Sequence, residues 1–206
     1  MSVKEVKNTI AKRAKREIRR AHIIDAALQI LAFEGISSFT MRNIADKAGV
    51  TLGAVQYYFK NKSDLLLALI DYKLQLDCIA TENVRHKSTL STEAEFVAVI
   101  NLLLRDNKKP LIYGLDFQLF ALACSDKTAE ECVDKFYRTI REWIEGLIQS
   151  LNPNISEAEC SRRAVVILSM LEGLMQVLYR DKRNKIEFSE IEDMVREQTL
   201  QIATAP

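Results

Sequence analysis

Apolar positions in this 206-residue chain recur at helical spacing along most of its length. Between about Arg19 and Glu34, Ile23, Ile24, Ala27, Leu28 and Leu31 share one face, and Gly35 ends the run as a C-terminal glycine does. Thr40 is suited to cap a short second helix carrying Ile44, Ala45 and Ala48, which Gly49 stops. Thr51 caps a third through Phe59. Asn61 caps a fourth, with Asp64 in its first turn and Leu65, Leu66, Leu69, Ile70 and Leu74 along it past Asp77. Further helices are predicted over 93–104, from a first turn holding Pro110, over 127–151, over 162–180 and from 189 to about 202. Ser156 with Glu159, and Ser189 with Glu192, both read as capping boxes. No segment alternates with the period of a strand. The pattern predicts an all-α fold of about nine helices.

The segment from Thr51 to Phe59 is unusual for an amphipathic helix because it mixes small residues with bulky aromatics. On a helix, Leu52, Val55 and Phe59 turn inward, leaving Gly53, Ala54, Gln56 and Tyr57 outward. An outward glycine costs about 1 kcal/mol of helix propensity relative to alanine. Close approach to a bulky external surface would account for that cost. A DNA major groove is such a surface: it admits a helix whose leading side chains are small or hydrogen-bonding. Gln56 matches an adenine edge, Ala54 a thymine methyl, and Thr51 a phosphate or base. Tyr57, Tyr58 and Lys62 suit phosphate oxygens, helped by backbone N–H groups at the start of the fourth helix. Two short helices joined by a glycine turn make a helix-turn-helix. The competing reading is a compact helical hairpin whose aromatics fill a core.

Charge sharpens this picture. Residues 1–60 hold 11 Lys/Arg and 5 Asp/Glu, a balance of +6, while the remainder holds 18 and 23, a balance of −5. A basic end joined to a mildly acidic body points to a polyanionic partner, or else to a solvated basic tail. Residues 1–18 are expected as a flexible basic arm, 19–66 as the helix-turn-helix domain, and 67–206 as a helical body.

Other chemistry is sparse. Cys78, Cys124, Cys132 and Cys160 show no CxxC or metal spacing and read as buried, reduced thiols, and His22 and His86 lie far apart. No metal, cofactor, phosphate loop or nucleophile–base pair is indicated, which argues against an enzyme. No apolar run approaches the ~20 residues of a membrane span, and the N-terminus has no apolar signal region. A cytoplasmic protein is expected.

The stretch FTMRNIADKAGVTLGAVQYYFKNKSDLL resembles the DNA-binding domain of TetR-family transcriptional regulators over about residues 20–70. The likeness rests on Gly35 before a Thr-initiated helix, IA-x-x-AGV, a small-residue turn and the YYF-x-x-K-x-x-LL ending. It implies a homodimeric repressor that binds a palindromic operator and is released by a small molecule. By matching position it implies DNA contacts at Thr40, Arg42, Thr51, Leu52, Gly53, Ala54, Gln56, Tyr57, Tyr58 and Lys62. Two positions depart from the family pattern, which often has an aromatic at Gln56 and a polar or basic residue at Leu52. The departure moves Gln56 towards base reading and puts a contact by Leu52 in doubt. Arg42 suits guanine or a phosphate equally.

The segment RRAVVILSMLEGLMQVLYR (162–180) carries two apolar stripes, Ile167/Leu171/Leu174/Leu178 and Val166/Met170/Gly173/Val177. A helix apolar on both sides needs cover on both. Its own domain supplies one cover; a second subunit, or more of the same chain, supplies the other. The resemblance implies a dimer built from the last two helices, assigned here to Ile167, Met170, Leu171, Gly173, Leu174, Leu178 and Met194. Dimerisation would set two reader helices about 34 Å apart, one turn of DNA. The resemblance also implies a pocket in the body for an unidentified, largely apolar small molecule. Phe96, Ile100, Tyr113, Phe117, Phe120, Trp143 and Met170 are its candidate lining, against a plain core role for most of them. Two alternatives stand beside a repressor: a regulator that activates, and a helical interaction protein that keeps the helix-turn-helix as a scaffold.

Overall fold

Helix caps account for most of the element boundaries. The computed structural model describes residues 3–86, 91–178 and 185–206, with side chains over 12–83, 91–178 and 190–206. Among these, nine α-helices follow in order: α1 Val3–Gln29, α2 Met41–Lys47, α3 Leu52–Tyr58, α4 Lys62–His86, α5 Thr92–Asn107, α6 Pro110–Ala123, α7 Lys127–Leu151, α8 Glu157–Val177 and α9 Lys185–Thr204. A π-helical turn, Ile30–Glu34, extends α1. No strand occurs among the described residues, as an all-α reading requires.

Thr40, Thr51, Ser91 and Ser156 each stand at an N-cap, with the side-chain oxygen accepting a backbone N–H three residues on. Asn61 does the same for Asp64 at 2.8 Å. Gly35 and Gly49 close the first two helical segments at φ 82° and 60°, in the left-handed region that other residues enter at a cost. Three local expectations are revised. Residues 3–18, expected as a flexible arm, are continuous with the rest of α1 as helix. Helix α9 begins at Lys185, so Ser189 lies inside it rather than at its cap. The Glu159 carboxylate does not complete its capping box but binds Arg162 and Arg163.

The chain divides into two compact units, Met1–Gln75 with Gly114–Cys132, and Leu76–Tyr113 with Val133–Pro206. The first thus includes 114–132, which the sequence assigned to the body. Its core joins Ile23, Ile24, Ala27 and Leu31 of α1 and the π turn to Phe39, Ile44, Val55, Phe59, Leu65 and Leu69, each at most 3% exposed. Within this unit α6 packs close on the π turn. A Cβ on Gly114 would stand 2.5 Å from the Ala32 carbonyl oxygen, and Gln118 Oε1 accepts the Ile36 N–H at 3.2 Å.

The second unit packs Phe96, Ile100, Ile144, Ile148, Ala164, Ile167, Leu171 and Val195 into one core. At its edge, buried Arg163 donates to the carbonyls of Ala205 and Pro206 at 2.6 and 3.1 Å while pairing with Glu159 at 2.8 Å. Hydrogen bonds from Arg163 and Arg162 hold the Glu159 carboxyl below its ordinary range. The thiols are free but not uniformly buried: Cys132 and Cys160 are buried, Cys78 is intermediate and Cys124 is exposed. Burial, with Glu145 nearby, pushes the Cys160 thiol up.

Candidate nucleic-acid interface

Helix α3 is held by one apolar edge. Val55 is fully buried and Phe59 nearly so, while Gly53, Gln56 and Tyr57 are exposed and Leu52 is half-buried. The opposite edge is therefore the slender one: a Cβ on Gly53 would find nothing within 4 Å. Tyr57, 67% exposed, meets Tyr58 edge-to-face at 5.1 Å, which restrains a ring that would otherwise swing freely.

The turn before α3 follows from its residues. The Ala48 N–H closes α2 on Ile44, Gly49 takes the left-handed conformation, and the Val50 N–H returns to the Ala45 carbonyl at 3.0 Å. His22 Nε2 donates to the Ala48 carbonyl at 3.1 Å, fixing the end of α2 to α1. Thr51 Oγ1 accepts the Ala54 N–H at 3.2 Å, and Thr40 Oγ1 accepts that of Asn43 at 3.2 Å. Each capping hydroxyl keeps its own proton free to donate outward. Thr40 and Arg42 are exposed at the start of α2, whose buried residues are Ile44 and Ala45. Lys62, the first residue of α4, places its ammonium 5.4 Å from the Phe39 ring centroid. Thr40, Arg42, Thr51, Gly53, Gln56, Tyr57 and Lys62 are thus all solvent-exposed, and Ala54 and Tyr58 half so.

The basic segment ahead of Arg20 is expected from the sequence to strengthen DNA binding as an arm; two cation–ring contacts beside this surface are not foreseen by that expectation. The Arg16 guanidinium lies 5.5 Å from the Tyr57 ring centroid, and that of Arg20, one turn on, lies 5.4 Å from Phe59. The signal was present in the i, i+4 spacing of the two arginines ahead of Ile23 and Ile24. It was obscured because residues up to 18 were read as an arm.

A fold of this kind has relatives. The family model for bacterial regulatory proteins of the tetR family matches residues 23–69. An uncharacterized HTH-type transcriptional regulator in the dhlA 5′ region of Xanthobacter autotrophicus is 30% identical over 168 residues, 77% of this chain and 79% of that protein. The chain belongs to the TetR family. It is accordingly a DNA-binding transcriptional regulator of helix-turn-helix type.

Solved structures of transcriptional regulators share the fold. A TetR regulator from Haloarcula marismortui superposes with a TM-score of 0.73 at 20% identity, over 92% of this chain and 98% of that one. A transcriptional regulator from Saccharomonospora viridis, solved in complex with choline, gives 0.68 at 16% identity over 87% and 92%.

In the body of this TetR-family chain, the two stripes of α8 separate differently from expectation. Ile167 and Leu171 are at most 1% exposed and belong to the intramolecular core, so neither can face a partner. The uncovered stripe is the other one: Val166 is 48% and Val177 80% exposed, with Met170 and Gly173 half-buried beside them. Met194 of α9 is 64% exposed, and Leu174 and Leu178 are half-buried. A Cβ on Gly173 would meet nothing within 4 Å, so the stripe is open at its centre. Among the expected pocket residues, Phe96 and Ile100 are sealed in the core, with Met170 packed against it. Phe120 is exposed, and Tyr113 and Phe117 are half-buried. Trp143, half-buried, lines a surface cleft with Cys78, Thr81 and Glu82 of α4 and Glu142, Gly146 and Leu147 of α7.

Proposed function

We propose that the chain is a homodimeric repressor that binds a palindromic operator and releases it when a small molecule enters the body. The observation that carries the reading is the polarity of α3: Val55 and Phe59 anchor it, while Gly53 and Gln56 face solvent. In this reading Gly53 and Ala54 let the backbone approach the major groove, Gln56 reads an adenine edge and Arg42 a guanine or a phosphate. Thr40, Thr51, Tyr57, Tyr58 and Lys62 fix the register on phosphates, with Arg16 holding Tyr57 in place. Leu52, half-buried, contributes at most an apolar contact. In this reading α1 to the first half of α4 serve DNA binding and the second compact unit serves ligand binding and dimerisation, with 114–132 belonging structurally to the first unit.

Dimerisation is supported by the uncovered stripe of Val166, Met170, Gly173 and Val177 with Met194. A two-fold pair would place its reader helices about one DNA turn, ~34 Å, apart. Ligand response is supported by the family and by a fold neighbour crystallised with choline. For a ligand to release the operator, it must bind the DNA-incompetent state more tightly than the competent one.

A band-shift titration against DNA flanking the chain's own gene tests the reading. Wild type should form one sequence-specific complex. The Arg42→Ala/Tyr57→Phe double variant should lose it with its circular dichroism unchanged. Full retention by the variant would favour a scaffold role for the motif.

A further inference from the structure

Three aromatic residues follow one another at the end of α3, and each ring touches the next. Tyr57 meets Tyr58 edge-to-face at 5.1 Å between centroids, and Tyr58 meets Phe59 at 6.4 Å and 43°. Phe59 is 3% exposed and sits in the core, so the run leads from the interior out to an exposed phenol. Helix α1 brackets the run at both ends. Arg16 lies over Tyr57 and Arg20 over Phe59, at 5.5 and 5.4 Å from the ring centroids. The two arginines share one face of α1 by their i, i+4 spacing. One turn of α1 is thus matched to the aromatic run, and its outer rung stands at the surface, where Arg16 and Tyr57 are both exposed.

The place of that rung matters. Gly53 and Tyr57 are i and i+4 on α3, so Tyr57 lies one turn along the same slender edge, beside Gln56. Cations are in excess here: between residues 12 and 20, Lys12, Arg13, Lys15, Arg16, Arg19 and Arg20 stand against Glu17 alone. Among the described residues, the partner Arg16 meets is a ring rather than a carboxylate. A ring attracts a guanidinium through its quadrupole and offers it no lone pair, so the N–H donors turned away from the ring stay available. The phenol hydroxyl is a donor as well. A charged fork and a neutral hydroxyl side by side suit the oxygens of one phosphate.

We propose that Arg16 and Tyr57 form one shared phosphate site, in which Arg16 is also the positioning residue that holds the phenol against the backbone of bound DNA. The inference deepens the DNA-binding reading above and rests on it. What it adds is coupling: Arg16 and Tyr57 each act through the other, and Arg16 is not one more independent charge on a basic helix.

Fluorescence anisotropy of the full chain, on a duplex that wild type enriches from a random pool and over a range of salt, tests it. Arg16→Ala and Tyr57→Ala should each weaken binding roughly tenfold. The double variant should bind no more than about twofold worse than the weaker single variant, where independent contacts would multiply to about a hundredfold. Salt gives a second readout. Tyr57→Ala removes no charge, yet it should lower the slope of log affinity against log salt by about 0.9 per bound protomer, as Arg16→Ala does, because both release the phosphate. Arg16→Lys should restore the slope but only part of the affinity. Arg13→Ala removes an equal charge from an exposed position on the same helix, and its effect should multiply with that of Tyr57→Ala. Every side chain changed here is exposed, so circular dichroism should be unaltered. Multiplying losses at Arg16 and Tyr57, an unaltered slope in Tyr57→Ala, or wild-type affinity in Arg16→Ala would each overturn the proposal and leave the DNA-binding reading standing. Failure of wild type to enrich any duplex would overturn that reading and the shared site with it.

Discussion

Gly53→Ala separates what α3 needs to fold from what it needs to meet DNA. Gly53 is the second residue of a seven-residue helix, exposed, with no left-handed φ and nothing within 4 Å of the position a Cβ would take. In the free protein the methyl therefore fits. It should stabilise by about 0.5 kcal/mol, the low end of the Gly-to-Ala range because the site is in the first turn. At 206 residues that raises the unfolding midpoint by roughly 1–2 °C. In the proposed docking on DNA the same methyl would stand where the backbone comes closest. Displacing the helix enough to lose one charge-assisted hydrogen bond costs about 1.5–3 kcal/mol, tenfold or more in affinity. Gly53→Leu should lose more still. Thermal unfolding by circular dichroism reads the first effect, and fluorescence anisotropy on a labelled operator at fixed salt reads the second. The reasoning fails if both variants bind as wild type does, or if affinity rises along with stability.

Other positions give outcomes of distinct sign. Gly114→Ala should destabilise by about 1–3 kcal/mol in urea unfolding despite better helix propensity, because its Cβ meets the Ala32 carbonyl at 2.5 Å. Ile167→Ala should cost about 2–5 kcal/mol of stability by opening the core. Val166→Asp should leave the fold intact and convert the proposed dimer to monomer in sedimentation velocity. Glu159, whose folded pKa is depressed chiefly by Arg163, lends stability that is fully present above its ordinary 4.5 and is lost as pH falls through the lower folded value. Glu159→Gln should flatten that acid limb of a stability-versus-pH curve.

The helix-turn-helix was legible in the sequence because its determinants are local. Thr40 and Thr51 cap, Gly49 takes a left-handed turn, and the spacing of Val55 and Phe59 decides which edge of α3 is buried. The two stripes of α8 were visible, but not their fates. Both are apolar, and which is buried depends on where α5 and α9 pack, so Ile167 and Leu171 could not be told from Val166 and Val177. The π turn at Ile30–Glu34 leaves no periodic mark, and the residue that packs against it, Gly114, lies some eighty residues on. The cleft was hidden because Cys78, Thr81, Glu82 and Gly146 form no motif. They read as ordinary polar positions on two solvated helix faces until those faces are set opposite one another.

Selection of bound duplexes from a random pool, run in parallel with wild type and Gln56→Ala, tests most directly whether the slender edge of α3 reads bases. Wild type should return an inverted repeat with half-sites about one helical turn apart, and the variant should lose preference at one symmetric pair of positions while keeping the rest. A pool that stays random with wild type, or an identical motif from both proteins, would contradict the assignment of α3 as the reader.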